Sequence, residues 1–515
     1  MKPLRLSLVW GIAFGTIACD DVVAPIYPAL SITSGSLPRA LPGVAYGATL
    51  DAVGGDETYA WTLAAGSGTL PPGLSLSAGG AVTGTPTAAG TFAFMVRVAS
   101  GDGQSAQSAL SILVPPVLEP HELCSDYPTY AIATFADAEL EGLVRGWAES
   151  DLDAPQDADL TCALMADLTR LSNGILEPEI ESLVGLQNLT GLTSIAFGDI
   201  PGIADLSPLS GLTSLTRVVV SQGSVTDVSP LAGLSSLTEL GLSGNSITDI
   251  SPLAGLTALT VLNLSDNMIS DIGPLAGLTS LETLWIGRGA IRYGQTFGVP
   301  QKRGDPITDI GPLSGLVGLA QLWIQGHAIT DLDALAGLTS LEELNAHDND
   351  ISDIDGLADL TGLTSLTLSS NAVTSVDALA GLTSLRGLSL HDNALTDISP
   401  LSGLATLEDL GLSENAISDL GPLASLATLV YLGLAGNQVV DVGSLEGLTA
   451  LDELDLDGNV ALSDIQPLLD NPGLGPPRPN EAPNYNYISL RGTAVSCADI
   501  AALEATGALV TSDCP

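Results

Sequence analysis

Aromatic side chains, positive charge and cysteine are all scarce in this chain of 515 residues. Phe, Trp and Tyr make up 4% of the sequence while 45% is hydrophobic, so any core is built from leucine, isoleucine, valine and alanine. Lys and Arg number 14 against 59 Asp and Glu, which gives a formal net charge of −45. Nucleic acid is excluded as a partner, because its binding depends on basic side chains that neutralise phosphates. The acidic surface instead suits a soluble extracellular protein.

Catalytic and cofactor-binding motifs are also missing from the sequence. It contains no glycine-rich phosphate loop, no HExxH and no CxxC, and no nucleophile is paired with a base. We therefore expect neither enzymatic activity nor a cofactor. After the N-terminus, no segment is long and apolar enough to form a membrane helix.

The N-terminus has the pattern of an export signal. Lys2 and Arg5 precede an apolar stretch from Leu6 to Ala18, which is too short to span a bilayer. The run Thr16-Ile17-Ala18-Cys19 resembles the bacterial lipoprotein signal, in which the cysteine becomes the lipidated first residue. The resemblance implies a protein that is exported, lipid-anchored through Cys19 and exposed on the bacterial cell envelope. The alternative is ordinary secretion with Cys19 as a spare thiol.

Five cysteines are an odd number for an exported protein, so one of them needs a separate role. Lipidation of Cys19 leaves two cysteines before the repeats described below and two after them. We predict the local pairs Cys124–Cys162 and Cys497–Cys514, which suit an oxidising compartment. The other pairings would join opposite ends of a long array, whereas bonded Cα atoms lie only about 4.4–6.8 Å apart.

Short alternating runs separated by Gly, Pro and Ser turns predict an all-β domain from about Ser31 to Val114. Three motifs follow one another there: Y-A-W at 59–61, L-P-P-G-L at 70–74 and G-T-P-T-A-A-G-T-F at 84–92. They resemble the Ig-like domain of bacterial surface proteins, which implies a β-sandwich that acts as a spacer. We interpret Trp61 as a core residue between two sheets rather than as a platform for a sugar.

Between Phe135 and Leu183 the pattern becomes helical. Asp137 is placed to cap a helix whose apolar face carries Leu140 and Val144. The first repeat of a solenoid has no neighbour to cover its hydrophobic side. This segment is therefore predicted to be a helical cap, held by one of the disulfides.

A leucine pattern recurs every 22 residues through most of the remaining chain. The consensus L-x-x-L-x-L-x-x-N-x-I-x-D-I-x-P-L places Leu240, Asn245 and Asp249 in one repeat and Leu262 and Asn267 in the next. This is a leucine-rich-repeat signature. Each repeat is expected to supply one short parallel strand, an asparagine turn and a 3-10 segment that begins near proline. The predicted fold is therefore a mainly β solenoid with its parallel sheet on the concave side.

The repeat asparagines are predicted to bond backbone groups at each turn and to form a buried ladder. They are Asn245, Asn267, Asn349, Asn371, Asn393, Asn415, Asn437 and Asn459. The ladder asparagine is missing at Gly289 and His327, on the two sides of one interruption. The spacing and the phrase S-P-L-A-G-L-T-S-L with its variants resemble the internalin family of bacterial surface proteins. That resemblance implies adhesion to a protein of another cell.

These features divide the sequence into six segments. We predict a signal peptide at 1–18, a lipid-anchored tether at 19–30, an Ig-like β-sandwich at 31–115, a linker and helical cap at 116–185, leucine-rich repeats at 186–469 and a closing repeat and cap at 470–515. The closing segment is needed because an open strand edge invites pairing with other chains. We expect a monomer.

Aspartate recurs in one slot of the repeat. This column comprises Asp227, Asp249, Asp271, Asp309, Asp331, Asp353, Asp397, Asp419 and Asp441, and a second column two residues on comprises Asp333, Asp355 and Asp377. We interpret the aspartates as acceptors of backbone N–H bonds where each 3-10 segment begins. The alternative is a calcium-dependent module, because stacked carboxylates supply the oxygen ligands that calcium prefers.

The repeat also places the histidines. His347 and His391 share a strand column two repeats apart, so about 9–10 Å separates them. That distance is too long for a shared zinc ion, whose bonds to nitrogen are about 2.0–2.1 Å. His327 occupies a slot of the asparagine ladder. No metal site is predicted.

The concave face of the predicted sheet carries the residues that flank the strand leucines, and most of them are small or weakly polar. Two consecutive repeats differ, because they place Trp285 and Trp323 in the same central column. Adjacent strands lie about 4.7–4.9 Å apart, so the indoles are within stacking reach. Polar residues surround the pair: Gln321, Gln325, Glu343, Asn345 and His347. An aromatic pair ringed by hydrogen-bonding side chains is typical of a recognition hot spot, although the pair can instead pack under an inserted loop.

The one interruption of the repeat lies between these tryptophans. Leu284 and Leu322 are 38 residues apart, one period plus 16, and the surplus falls at about 292–306. Basic and aromatic residues collect in and beside it: Arg288, Arg292, Tyr293, Lys302 and Arg303. Insertions in solenoids often form binding loops, so this loop is predicted to attract an acidic partner or an anionic glycan. The alternative is that its positive charge contacts the protein's own acidic surface.

The sequence therefore predicts a non-catalytic cell-surface lipoprotein that recognises a protein or glycan through the concave face near Trp285 and Trp323. A second hypothesis is an envelope scaffold without a dedicated ligand. The third is the calcium-dependent module described above.

Overall fold

The computed structural model describes residues 27–66, 68–174, 179–289, 305–474 and 486–514, and the chain divides after Val117 into two compact units. The first unit is built from short antiparallel strands. Their bounds are β1 Ser31–Ile32, β2 Tyr46–Thr49, β3 Ala52–Val53, β4 Tyr59–Leu63, β5 Leu74–Leu76, β6 Ala81–Gly84, β7 Gly90–Ser100 and β8 Ser105–Val114. One three-stranded sheet has the order β2-β6-β5 and the other β4-β7-β8, while β1 pairs with β3.

The two three-stranded sheets of this unit enclose one hydrophobic core. Trp61 of β4 is 3% exposed and packs in a cluster with Val82 of β6, Val96 of β7 and Ile112 of β8. The tryptophan lies close to the backbone at Gly80, where an added Cβ would be 2.9 Å from the indole ring. The interpretation of Trp61 as a core residue is therefore confirmed.

The second unit begins with a helical segment. Helix α1 spans Ala138–Leu152 and α2 spans Cys162–Asp167. The Asp137 carboxylate accepts the Leu140 N–H at 2.9 Å, which confirms the predicted N-cap. Leu140 and Val144 are fully buried against the first repeats. The predicted disulfide Cys124–Cys162 is present, with its Cα atoms 5.5 Å apart.

The repeats form one parallel sheet, in which the described residues supply fifteen strands. Each strand is hydrogen-bonded to its neighbours in chain order. The bounds are β9 Arg170–Ser172, β10 Ser194–Phe197, β11 Arg217–Val220, β12 Glu239–Gly241, β13 Val261–Asn263, β14 Thr283–Trp285, β15 Gln321–Trp323, β16 Glu343–Asn345, β17 Ser365–Thr367, β18 Gly387–Ser389, β19 Asp409–Gly411, β20 Tyr431–Gly433, β21 Glu453–Asp455, β22 Tyr487–Ser489 and β23 Leu509–Thr511. The sheet thus begins before Leu186 and continues past residue 469.

Helical turns connect the strands. The 3-10 helices of the second unit are Cys124–Asp126, Leu186–Asn188, Ser207–Leu209, Ser229–Leu231, Ser251–Gly255, Gly273–Gly277, Gly311–Gly315, Asp333–Leu335, Asp355–Leu357, Asp377–Leu379, Ser399–Gly403, Gly421–Ser425, Gly443–Leu445 and Pro472–Leu474. Pro252 and Pro274 stand in the first turn of theirs, where the missing N–H is not needed. Near the C-terminus, α3 spans Gln466–Asp470 and α4 spans Cys497–Glu504.

Strand leucines build the core of the solenoid. Leu240, Leu262 and Leu284 are paired across β12, β13 and β14, and each is fully buried. Residues on either side of them face outward because successive side chains alternate in a strand. This alternation leaves the flanking columns free to form the concave face.

The asparagine ladder runs beside this core. Asn267 Nδ2 donates to the carbonyls of Leu242 and Leu264, both at 2.9 Å, and its Oδ1 accepts the Ile247 N–H at 3.0 Å. Equivalent bonds occur at every predicted ladder asparagine. Each amide joins its own turn to the preceding repeat, so the predicted ladder is confirmed.

Aspartates cap the 3-10 helices as interpreted from the sequence. Asp249 Oδ1 accepts the Ser251 N–H at 2.8 Å, and Asp271 accepts the Gly273 N–H at the same distance. The backbone bond from Ser251 and the bond from its hydroxyl lower the pKa of Asp249. Among the described residues, no group of three or more His, Cys, Asp or Glu side chains is placed to hold a metal ion.

The C-terminal end of the sheet is held by the second predicted disulfide. Cys497 begins α4 and Cys514 follows β23, and their Cα atoms lie 5.6 Å apart.

In the part of the chain that the structure describes, no helix has both the length and the apolar character needed to cross a membrane.

Candidate ligand-binding face

Trp285 and Trp323 are neighbours in the sheet, as the sequence predicted. Trp285 of β14 and Trp323 of β15 are Cα partners in the sheet, and their ring centroids lie 5.5 Å apart. The ring planes are inclined by 41°, so the pair is tilted rather than face to face. Both side chains are half-buried. Tilted arrangements at this distance are favourable for aromatic quadrupoles.

The two indole N–H groups have different surroundings. Trp323 Nε1 donates to Glu343 Oε1 at 3.0 Å, which fixes the ring against β16. Trp285 Nε1 is buried and has no hydrogen-bond partner among the described residues. The carboxylate of Glu343 therefore orients one ring, while the other is positioned by packing.

The polar residues around the pair divide into two groups. Gln321, Glu343, Asn345 and His347 are half-exposed on the concave face, and Asn345 Oδ1 accepts the His347 N–H at 3.2 Å. Gln325 is only 4% exposed. Its amide lies across Gly287 of the preceding repeat, where an added Cβ would overlap it. The sequence placed all of these residues on one face, but the missing side chain at Gly287 lets Gln325 fold inward.

Arg288 also turns inward. It is 5% exposed, and its guanidinium donates to the carbonyl of Ile269 at 3.1 Å and to the carbonyl of Asp305. Burial lowers the pKa of the guanidinium. Because Asp305 lies at the C-terminal end of the insertion, Arg288 joins the chain before the insertion to the end of the insertion. We therefore assign it a structural role and leave it out of the ligand-contacting surface.

The remaining residues predicted for the inserted loop, Arg292, Tyr293, Lys302 and Arg303, lie outside the described residues, as does Cys19.

The ladder does not fail at His327 as the sequence indicated. His327 is 3% exposed, its Nδ1 accepts the Ile307 N–H at 3.3 Å, and its Nε2 lies 3.0 Å from the Ile286 carbonyl oxygen. These two contacts correspond to those by which an asparagine joins the preceding repeat elsewhere in the ladder. The imidazole thus carries the ladder across the insertion and keeps β14 and β15 in register.

Sequence reasoning missed a second polar cluster on the same face. It consists of His391, Tyr431 and Asp455. These residues lie around Gly411 and Gly433, which occupy the central column in two neighbouring strands. The signal was the glycine pair itself. Their small size alone does not show that they make room for the rings of His391 and Tyr431 beside them.

Comparisons with known proteins identify both parts of the chain. The profile of the He_PIG family of Ig domains matches residues 29–115, and the profile of paired leucine-rich repeats matches 235–267, 257–292, 339–381 and 383–425. No protein of curated function matches the sequence.

Among solved structures, an internalin of Listeria monocytogenes is 31% identical, with a TM-score of 0.59 and coverage of 66% of this chain and 94% of the internalin. A leucine-rich-repeat protein of Leptospira interrogans is 19% identical, with a TM-score of 0.47 and coverage of 67% and 96%. Internalin C2 of Listeria monocytogenes is 28% identical, with a TM-score of 0.35 and coverage of 54% and 93%.

Proposed function

The chain belongs to the internalin family of leucine-rich-repeat proteins, and from that premise we propose that it is a non-catalytic recognition protein whose concave face binds a protein or glycan at Trp285 and Trp323. One observation carries the proposal. A half-exposed tryptophan pair stands in a column of the concave face that otherwise holds mainly small or weakly polar residues: Gly241, Asn263, Asn345, Thr367, Ser389, Gly411 and Gly433.

Aromatic side chains dominate binding energy at interfaces because they bury a large area with few rotatable bonds. The pair is partly fixed before any ligand arrives, since Trp323 is bonded to Glu343. Gln321, Asn345 and His347 add half-exposed hydrogen-bonding groups beside the rings. Such a surface suits a ligand that offers an apolar anchor and polar groups at its rim.

We place this recognition outside the cytoplasm. Two disulfides support an oxidising compartment, because reducing conditions disfavour such bonds. Lipidation of Cys19 would anchor the protein at the bacterial cell envelope, with the Ig-like domain as a spacer. Mass spectrometry of the mature N-terminus tests this part: an unmodified cysteine, or cleavage elsewhere, would remove the anchor from the proposal.

A binding screen tests the recognition function. The purified chain is applied to protein and glycan arrays, and positive spots are repeated with the double variant Trp285→Ala/Trp323→Ala. We expect affinity to fall about a thousandfold, since the variant removes two hot-spot aromatics that contribute about 2 kcal/mol or more each, and every 1.4 kcal/mol is about tenfold. The matched control is Ser365→Ala/Thr367→Ala on β17. Thr367 lies in the same column as the tryptophans, and Ser365 lies in the neighbouring column.

The outcomes separate the hypotheses. Equal affinity of the tryptophan variant and the parent would show that the site is misplaced, even if the chain binds a ligand elsewhere. An equal loss in the control would show that the whole face is perturbed. Arrays without any saturable binding would favour the envelope scaffold instead.

A further inference from the structure

The concave face carries a second polar cluster that the tryptophan site does not use. Its floor consists of Gly411 and Gly433, which are Cα partners in β19 and β20. A Cβ at Gly433 would lie 2.8 Å from the Tyr431 hydroxyl, and one at Gly411 would overlap the His391 ring. The two rings therefore lie over positions without side chains. We call the set Gly411, Gly433, His391, Tyr431 and Asp455 the glycine-floored cleft.

Asp455 borders this cleft on β21, next to Gly433 in the sheet. The carboxylate is half-buried, and its Oδ1 accepts the Asp457 N–H at 3.0 Å. Among the described residues Asp455 forms no ion pair. A carboxylate that loses water without gaining a cation is destabilised relative to a solvated one.

The ionisation of Asp455 differs from that of other carboxylates in the chain. Burial raises the pKa of Asp455, although His391 and Arg491 act in the opposite direction. In contrast, hydrogen bonds lower the pKa of Asp56 to about 2 and also lower that of Asp249. The contrast fits a carboxylate whose charge is incompletely compensated within the chain.

Tyr431 and His391, the two rings of the cleft, also favour a positively charged ligand group. Tyr431 lies between Asp409 and Glu453 in the sheet, and burial together with the negative charges of Asp455, Glu453 and Asp409 raises its pKa. Burial lowers the pKa of His391, so its ring is uncharged at neutral pH. The aromatic face of Tyr431 and the carboxylate of Asp455 both attract cations.

We propose that the glycine-floored cleft binds the guanidinium or ammonium group of an Arg or Lys side chain presented by a protein partner. Asp455 supplies the opposite charge, the Tyr431 ring supplies a cation–π contact, and neutral His391 supplies an acceptor nitrogen. The inference rests on the proposed recognition function only in taking the partner to be a protein. Binding of the basic group itself does not require Trp285 or Trp323.

The probe for this site is N-acetyl-arginine methylamide, titrated into the full chain. Because the chain has four histidines, their ring signals can be followed by NMR, and His391→Gln assigns the signal of interest. We expect a saturable shift of the His391 signal while those of His121 and His347 stay in place. The neutral citrulline analogue should leave the His391 signal unmoved.

Charge-matched variants decide whether the cleft is the site. Asp455→Asn should weaken arginine binding at least tenfold, whereas Glu446→Gln, which removes one exposed carboxylate elsewhere, should not change it. Tyr431→Phe should retain binding and Tyr431→Leu should lose about fivefold, as a cation–π contact requires. Unchanged melting curves by circular dichroism establish that the variants are folded.

In the titrations and the charge-matched variants, three results would overturn the inference: no shift at His391, shifts at all histidines without saturation, or equal weakening by Asp455→Asn and Glu446→Gln. The latter two would mean nonspecific attraction to the net charge. Binding that persists in Trp285→Ala/Trp323→Ala supports the cleft even if the tryptophan site fails its own test. Loss of arginine binding in that variant would contradict an independent cleft.

Discussion

Nδ1 of His327 accepts the backbone N–H of Ile307 at 3.3 Å, across the point where the repeat is interrupted. The other ring nitrogen faces the carbonyl oxygen of Ile286 at 3.0 Å. In the next repeat, Asn349 accepts the Ile329 N–H and donates to the Ile324 carbonyl. The imidazole therefore acts as a neutral tautomer, with Nδ1 as acceptor and Nε2 as donor.

Removing this side chain's polar atoms should destabilise the solenoid at the interruption. We expect His327→Leu to lower the free energy of unfolding by about 2 kcal/mol or more, because each buried polar group left unpaired costs about 1–3 kcal/mol. His327→Asn should retain most of the stability, since asparagine fills this slot elsewhere. Urea denaturation measures both. A similar loss in His347→Leu, on the concave face, would argue against a special role for His327.

The ladder proper offers a sharper test in one repeat. Asn267→Asp replaces the amide that donates to Leu242 and Leu264 with a buried carboxylate facing two carbonyl oxygens. We expect a loss of about 3 kcal/mol or more in urea denaturation. The control is Asn263→Asp in the same repeat, where Oδ1 only accepts the Ser265 N–H and aspartate can do the same. Comparable losses in the two variants would contradict the ladder assignment.

The period predicted the fold because it fixes which residues share a column. Leu240, Leu262 and Leu284 are paired as the 22-residue spacing requires, and Trp285 and Trp323 are adjacent despite the insertion. A column also defines which face a residue occupies, since strand side chains alternate. Hence the parallel sheet and the tryptophan pair follow from spacing alone.

The spacing did not predict side-chain orientations, nor whether one residue type can replace another in a slot of the repeat. Gln325 and Arg288 both turn inward, because Gly287 offers room to one and the Asp305 carbonyl offers a partner to the other. Whether an imidazole can replace an amide at His327 depends on distances of tenths of an ångström. The glycine-floored cleft was missed for the same reason. The glycine pair was visible in the sequence, but a glycine does not show which neighbouring ring fills the space above it.

Calcium should not change the stability of the chain. The Asp271 and Asp309 carboxylates each accept a backbone N–H at 2.8 Å, so these oxygens already serve the turn. We expect the melting temperature to be the same in millimolar calcium and in chelator, as followed by circular dichroism. A reproducible rise with calcium but not with magnesium would restore the calcium-dependent module.

Acid should weaken the Ig-like unit at Asp56. Hydrogen bonds from Thr58 and Ser100 hold its pKa at about 2, below the ordinary value of 3.8. A lowered pKa in the folded state adds stability that is complete above pH 3.8 and is lost as the pH falls toward 2. Asp56→Asn should therefore increase hydrogen exchange in β4 and β7 at neutral pH but hardly at pH 2. Asp51→Asn is the control, and a pH-independent effect would contradict the assignment.

The C-terminal disulfide should protect the last strands rather than the whole sheet. Cys497 and Cys514 close a loop with a sequence separation of 17, and constraining a loop of this size contributes about 3 kcal/mol. In a solenoid each repeat contacts only its neighbours, so the loss of this constraint propagates weakly.

We expect Cys497→Ser/Cys514→Ser to raise hydrogen exchange in β22 and β23 while β16 remains protected, as measured by mass spectrometry. The exposed edge of β23 should then pair with other chains, because its unpaired backbone groups are a template for strand addition. Size-exclusion chromatography would detect that association. Uniform exchange along the sheet would instead mean that the repeats unfold as one cooperative unit. Unchanged exchange at β23 would show that packing of α4 suffices to hold the edge.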